Sequence, residues 1–262
     1  MTAGSVAVRT AEPGTATVAV RAAAAEWLRL RTVRTTWWCL LAAAVTIVGM
    51  GATAAYDEAG GDGSGGLVPA TFAGEFGVLP GQFALLVLAL LAVTPEYATG
   101  GIGPTLQWTP RRGVLLAVRI AVPVAAATAA GVLLALAADV AAVLIDPDLT
   151  LGAGELAGSL GRIAAVLAAG SALAVGTGLL LRSTAGALAT VFLLQLVLPF
   201  LLPAFGARWM ADLGELLPGS ATVWTLLGEP DMTATQATLL LLGWSAAALA
   251  AGGWSLLRRD AA

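Results

Sequence analysis

This chain has no lysine, no histidine and no asparagine, a single cysteine, and few charges of any kind. Each absence closes a route. A phosphate loop of the form G-x-x-x-x-G-K-[ST] needs its lysine on the terminal phosphates, so the chain cannot hydrolyse ATP by that route. Without histidine there is no imidazole base and no histidine metal ligand, and Cys39 alone forms neither an internal disulfide nor a zinc site. Soluble-type catalysis is therefore poorly supported, and the sequence nominates no catalytic, cofactor-binding or metal-binding residue. Residues 1–17, rich in threonine, alanine and glycine, lack the apolar core of a signal peptide and read as a disordered tail.

What remains is apolar. Of 262 residues 58% are hydrophobic and 11% charged, with mean hydropathy +0.88, more than a soluble domain of this length buries. The expectation is an all-α integral membrane protein. The heavy use of alanine, glycine and arginine points to a GC-rich, bacterial genome and so to a bacterial cytoplasmic membrane. A span needs about 20 mostly apolar residues. Gaps between charges delimit six, at 35–56, 76–94, 114–138, 162–181, 184–206 and 234–257, within one transmembrane domain over 18–257, with 258–262 as a short tail.

All 13 basic residues are arginine. Arg9, Arg21, Arg29, Arg31 and Arg34 precede the first span, Arg111, Arg112 and Arg119 stand at the second connection, Arg182 at the fourth, and Arg258 and Arg259 after the sixth. Arg162 and Arg208 alone fall on the other side, among the acidic loops. The positive-inside rule then puts both termini, the 95–113 loop and the Arg182 turn in the cytoplasm.

Pro123 predicts a kink in the third span, and Pro199 and Pro203 in the fifth. Gly170, Ala174 and Gly178 make a small-residue face on the fourth. The last outer loop places Trp209, Leu213 and Leu216 on one face of a short interfacial or re-entrant helix ending at Pro218, with Asp212 and Glu215 turned elsewhere. Gln195 falls near the middle of the fifth span, where an unpaired amide is costly, so it is expected against another helix or a cavity, helix packing being favoured over solute contact. Arg119 is expected to snorkel to the headgroups, Arg162 to pair with Glu155, Thr128 to bond its own helix backbone, and Cys39 to face lipid. Every acid is placed in a tail, a loop or a helix end, which argues against an ion-driven carrier.

The approach to the first span, "VRAAAAEWLRLRTVRTTWW", puts Val20, Ala23, Trp27, Leu30 and Trp37 on one helical face and Arg21, Arg29, Thr32 and Thr35 largely opposite; Arg34 interrupts the apolar face. Two readings fit. In one, an amphipathic helix lies in the cytoplasmic headgroup layer, with Trp27 and Trp37 at the interface and Arg29, Arg31 and Arg34 on anionic lipid. In the other, it is a basic anchor with an aromatic belt.

Three stretches together resemble the permease subunits of type-2 ABC exporters, particularly the six-helix forms common in actinobacteria: "EWLRLRTVRTTWW" (26–38), "EYATGGIGPTL" with "PRRG" (96–113), and Arg182 with "STAGALAT" (183–190). The resemblance covers most of residues 20–257. It implies an elbow helix before the first span and a coupling helix, between the second and third, that docks on a separate ATPase subunit. Glu96, Tyr97, Thr99, Gly100, Pro110, Arg111 and Arg112 would sit at that contact. It also implies a second permease copy, identical or related, and ATP with magnesium in the partner ATPase rather than in this chain. Two departures stand out: Ala98 follows Glu96-Tyr97 where a basic residue is common, and Pro104 interrupts the proposed coupling segment and either starts its helix or breaks it.

The function expected is ATP-driven export of a lipophilic or drug-like solute by alternating access. The alternative is a non-transporting membrane scaffold or sensor that docks a cytoplasmic partner through the same loop. Neither involves nucleic acid.

Overall fold

The computed structural model describes residues 14–59, 69–95, 112–228 and 232–259. Ten α-helices run through them: α1 (Thr15–Thr32), α2 (Arg34–Ala59), α3 (Thr71–Leu91), α4 (Arg112–Ile145), α5 (Ala153–Leu181), α6 (Thr184–Phe192), α7 (Leu198–Ala204), α8 (Arg208–Glu215), α9 (Pro218–Leu227) and α10 (Ala234–Arg259). A π turn, Leu193–Val197, joins α6 to α7. Among the described residues the only β pairing is an isolated bridge between Pro69 and Thr150. Six helical stretches are long and apolar enough to cross a membrane: α2, α3, α4, α5, the α6–α7 unit and α10.

α3 and α5 are central. Their apolar windows are 61% and 72% buried, against 28% or less for the other four. The outer helices present large apolar side chains outward, Leu133, Leu144, Leu239 and Leu242 among them. Leu144 is 79% exposed. So much exposed apolar surface on every outer helix suits a multi-pass protein surrounded by lipid.

Small residues let the helices approach. The α5 face of Gly170, Ala174 and Gly178 meets α3, as expected: a Cβ at Gly178 would lie 3.1 Å from Val93 and Thr94 side chains. On its other side α5 touches α10 backbone to backbone. A Cβ at Gly176 would lie 2.5–2.7 Å from the Ala248–Leu249 peptide, and one at Gly252 would lie 2.5 Å from the Gly176 carbonyl oxygen. Ser245 ties the same crossing by donating to the Ala169 carbonyl at 2.9 Å.

Helix ends differ from those read from charge gaps. α3 begins five residues earlier than expected, α5 nine earlier, and α4 runs to Ile145, so Glu75 and Asp139 lie inside helices. α1 begins at Thr15, inside the stretch read as tail. Pro123 leaves α4 as one continuous helix, whereas the fifth span breaks. There Pro199 has no N–H for the Gln195 carbonyl, and Leu198 donates instead to Leu193, five residues back.

The connection after α7 forms two short helices rather than one. α8 runs back along α7, with Gly214 against Pro203. The chain turns at Leu217, where the Ser220 hydroxyl donates to the Gly214 carbonyl at 2.7 Å, and α9 continues with Gly219 against Gln195 and Pro199. Trp244 fixes the turn by donating to the Leu216 carbonyl at 2.9 Å. Trp209, Leu213 and Leu216 are exposed together, as the helical spacing predicts.

Candidate functional site

The chemistry-bearing residues gather at the end of the bundle where α3 and α5 finish and α6 begins. α1 is alanine-rich and helix-prone, and Arg29 and Arg31 in its last turn suit the negative end of its dipole. It stops at Val33, which is extended (φ −80°, ψ 123°). α2 starts one residue later, and the Trp37 indole clips the corner by donating to the Arg31 carbonyl at 3.0 Å.

The face that α1 packs on the bundle includes a carboxylate, and its tryptophan stays outside. Glu26 and Leu30 are buried, while Val20, Trp27 and Trp37 are at least half exposed. Glu26 explains the choice. Its carboxylate pairs with Arg29 at 2.8 Å and with Arg119 of α4 at 3.4 Å. Arg119 is 3% exposed, so it does not snorkel; α1 lies against α4 and brings a counter-charge to it. The attraction of the Glu26 carboxylate offsets part of the desolvation cost that burial imposes on the Arg119 guanidinium.

Arg29 also donates to the Ala92 carbonyl at the C-terminal end of α3. Among the described residues no backbone N–H donates to that carbonyl, so a cationic donor there serves as a C-cap. One residue pair later the Thr184 hydroxyl at the start of α6 bonds to that of Thr94 at 2.9 Å. Arg182, left-handed at φ 53°, ends α5 and donates to the Ser255 carbonyl of α10 at 3.2 Å, while Ser183 caps α6 by accepting from the Gly186 N–H. The last turn of α3 is thus held by α1 on one side and α6 on the other.

Of the sequence-nominated residues, Trp27, Arg29, Arg31, Arg34 and Trp37 fall on α1 and the start of α2. Glu96, Tyr97, Thr99, Gly100, Pro110 and Arg111 lie outside the described residues, as does Pro104; Arg112 opens α4. α1 therefore contacts α3 and α4, the two helices that flank the nominated loop.

Gln195 sits in the π turn, 3% exposed. Its carbonyl oxygen accepts from the Thr222 hydroxyl of α9 at 3.4 Å, and its amide nitrogen lies where a side chain at Gly170 of α5 would stand. It faces other helices, as expected. Thr128 and Cys39 depart from expectation: the Thr128 hydroxyl has no hydrogen-bond partner, and Cys39 is buried beside Leu30, Leu88 and Ala92.

Two acids at the opposite end were underestimated. Arg162 pairs with Glu75 of α3 rather than Glu155. Asp139 is fully buried. In the first turn of α3 the Ala73 N–H takes the Ala70 carbonyl, and the Gly74 N–H turns to Asp139 Oδ1 at 2.8 Å. Asp139 is thus a remote N-cap, and the absence of a Cβ at Gly74 admits it. The case against an ion-driven carrier loses part of its basis, since two acids lie within span helices: Glu75 is ion-paired, whereas Asp139 has a partner on Oδ1 and none on Oδ2 among the described residues. Asp139→Ala should cost about 0.5–2 kcal/mol, the worth of a cap, and should raise hydrogen exchange over the first turn of α3. Asp139→Asn, which keeps an acceptor, should change exchange little. Loss of protection across the whole chain would contradict a local cap.

Two apolar cavities flank α3. One of 480 Å³ lies against α6, among Phe83, Leu86, Leu90, Leu188, Val191 and Phe192. There the Phe83 and Phe192 rings meet edge to face with centroids 5.5 Å apart. The other, of 630 Å³, lies under α1, among Trp27, Arg31, Trp37, Val122, Ala129 and Leu133. Among the described residues no cluster of histidine, cysteine or acid is arranged to hold a metal ion. Comparison with models of known families finds none that matches the chain, and comparison with curated proteins finds no match either.

Proposed function

We propose that this chain is the membrane-spanning permease subunit of an ATP-driven exporter, coupled through its 95–113 segment to a separate ATPase that carries the ATP and magnesium. The observation that carries the proposal is the bracing of α1. Glu26 reaches Arg119 on α4, and Arg29 reaches the end of α3. The two helices flanking the 95–113 segment are thereby tied to one surface helix, so a push on that segment would move α3 and α4 together rather than separately. A flexible tether could not do this.

In this reading the arginine-rich end, with both termini, faces the cytoplasm. α1 lies in the inner headgroup layer, and a second copy of the chain, or a related one, completes the transporter. The apolar cavity between α3 and α6 offers a lipophilic solute a surface without polar punctuation. The break at the π turn gives the adjoining helix a place to bend as access alternates.

The test is a cross-link. A cysteine replacing Thr99, introduced with Cys39→Ser, should couple to an ATPase encoded beside this chain when membranes are treated with a short thiol-reactive bifunctional reagent. A partner without a nucleotide-binding loop, captured reproducibly in its place, would favour the scaffold or sensor reading and sink this one.

A further inference from the structure

The 630 Å³ cavity under α1 has a chemistry of its own. Its walls are Trp27 and Leu30 from α1, Trp37 and Leu40 from α2, Leu88 from α3, and a row from α4 with Ala125, Ala126, Ala129, Ala130 and Leu133. The alanines leave the space: where larger side chains would close α4 against α1, methyl groups leave a channel about three turns long. Its volume is inside the roughly 300–1,000 Å³ typical of ligand sites. The polar side chains lining it are Arg31 and Thr36, both at the α1–α2 corner.

Arg31 differs from its neighbours. Arg29 and Arg119 are engaged by Glu26, whereas Arg31 is exposed and forms no salt bridge among the described residues. A cation at the mouth of an otherwise apolar channel, with a hydroxyl beside it and a tryptophan on either side, complements a molecule with an anionic head and a hydrocarbon tail. We infer that this cavity is a binding site for one anionic phospholipid, its phosphodiester on Arg31 and Thr36 and one acyl chain along the alanine row of α4. The bound lipid fills the space between α1, α2 and α4 and fixes the elbow against the bundle. The inference rests on the six helices lying in a bilayer and not on the ATPase partner.

The test uses the detergent-purified full chain, stripped of lipid and offered phosphatidylglycerol or phosphatidylcholine with identical acyl chains, one of them carrying a photoreactive group. Phosphatidylglycerol should bind at a single site, and its cross-link should map to residues 122–133. Arg31→Gln should weaken it about fivefold, the worth of one basic residue beside an anionic surface, without altering the gel-filtration profile. Ala129→Trp, at an exposed position, should fill the channel and abolish the cross-link while leaving the fold intact. Equal binding of phosphatidylcholine, equal binding of glycerophosphate without a tail, or a cross-link unchanged by both variants would overturn the inference. A chain recovered in the aqueous phase without detergent would instead overturn the bilayer placement beneath it.

Discussion

Replacing Glu26 by leucine should destabilise the chain by about 3 kcal/mol, the lower end of the cost of stripping one partner from a buried ion pair. The effect is large because Glu26 serves two arginines, and one of them, Arg119, is nearly inaccessible to solvent. With the carboxylate gone, the buried Arg119 guanidinium loses the counter-charge that α1 brings to it. The lower end applies because the Glu26 carboxylate retains some solvent contact, so part of its desolvation was never incurred. The double variant Glu26→Leu with Arg119→Leu should lie closer to wild type than Glu26→Leu alone, since it removes the buried charge together with the counter-charge it loses. Thermal unfolding midpoints in one fixed detergent measure this. If the double variant is as unstable as the sum of the singles, the two residues are not coupled and α1 is not held this way.

Gly176→Leu should prevent a stable bundle from forming. Overfilling a core costs about 1–3 kcal/mol when neighbouring side chains can shift. At Gly176 the neighbours are the Ala248 and Leu249 backbone atoms, which cannot rotate away. α5 and α10 would have to separate, and separation also breaks the Ser245 hydrogen bond to Ala169. Gly176→Ala should fold with a clearly lowered unfolding midpoint. Gly243→Leu on α10, with nothing near its missing Cβ, should stay within about 0.5 kcal/mol of wild type, as surface changes usually do. The monodisperse fraction on gel filtration and the unfolding midpoint report both; indistinguishable behaviour of the Gly176 and Gly243 leucine variants would contradict the close crossing.

The number and order of the spanning helices were legible because a long apolar run is a local property, written in about 20 consecutive residues. The π break was legible in part, since Pro199 removes a donor whatever surrounds it. The helix ends were not. Glu75 and Asp139 looked like boundaries because charges seldom lie in apolar helices, yet their partners, Arg162 and the Gly74 N–H, stand on other helices 87 and 65 residues away. Arg119 was misread for the same reason, its partner being on α1. That Glu26 of α1 turns inward was not legible in helical spacing, because the Arg119 it meets stands on α4. The nominated residues from Glu96 to Arg111 lie outside the described residues; around that stretch the structure shows α3 before it, α4 after it and α1 in contact with both.

The most direct measurement of the proposed coupling is ATP turnover by an ATPase encoded beside this chain, in proteoliposomes, with wild-type chain, with Glu26→Leu, and with no chain, each with and without a lipophilic solute. The expected result is turnover that rises when the wild-type chain is present, changes again on adding solute, and loses its solute response when Glu26 is replaced. Turnover that is the same with and without this chain would contradict the coupling outright.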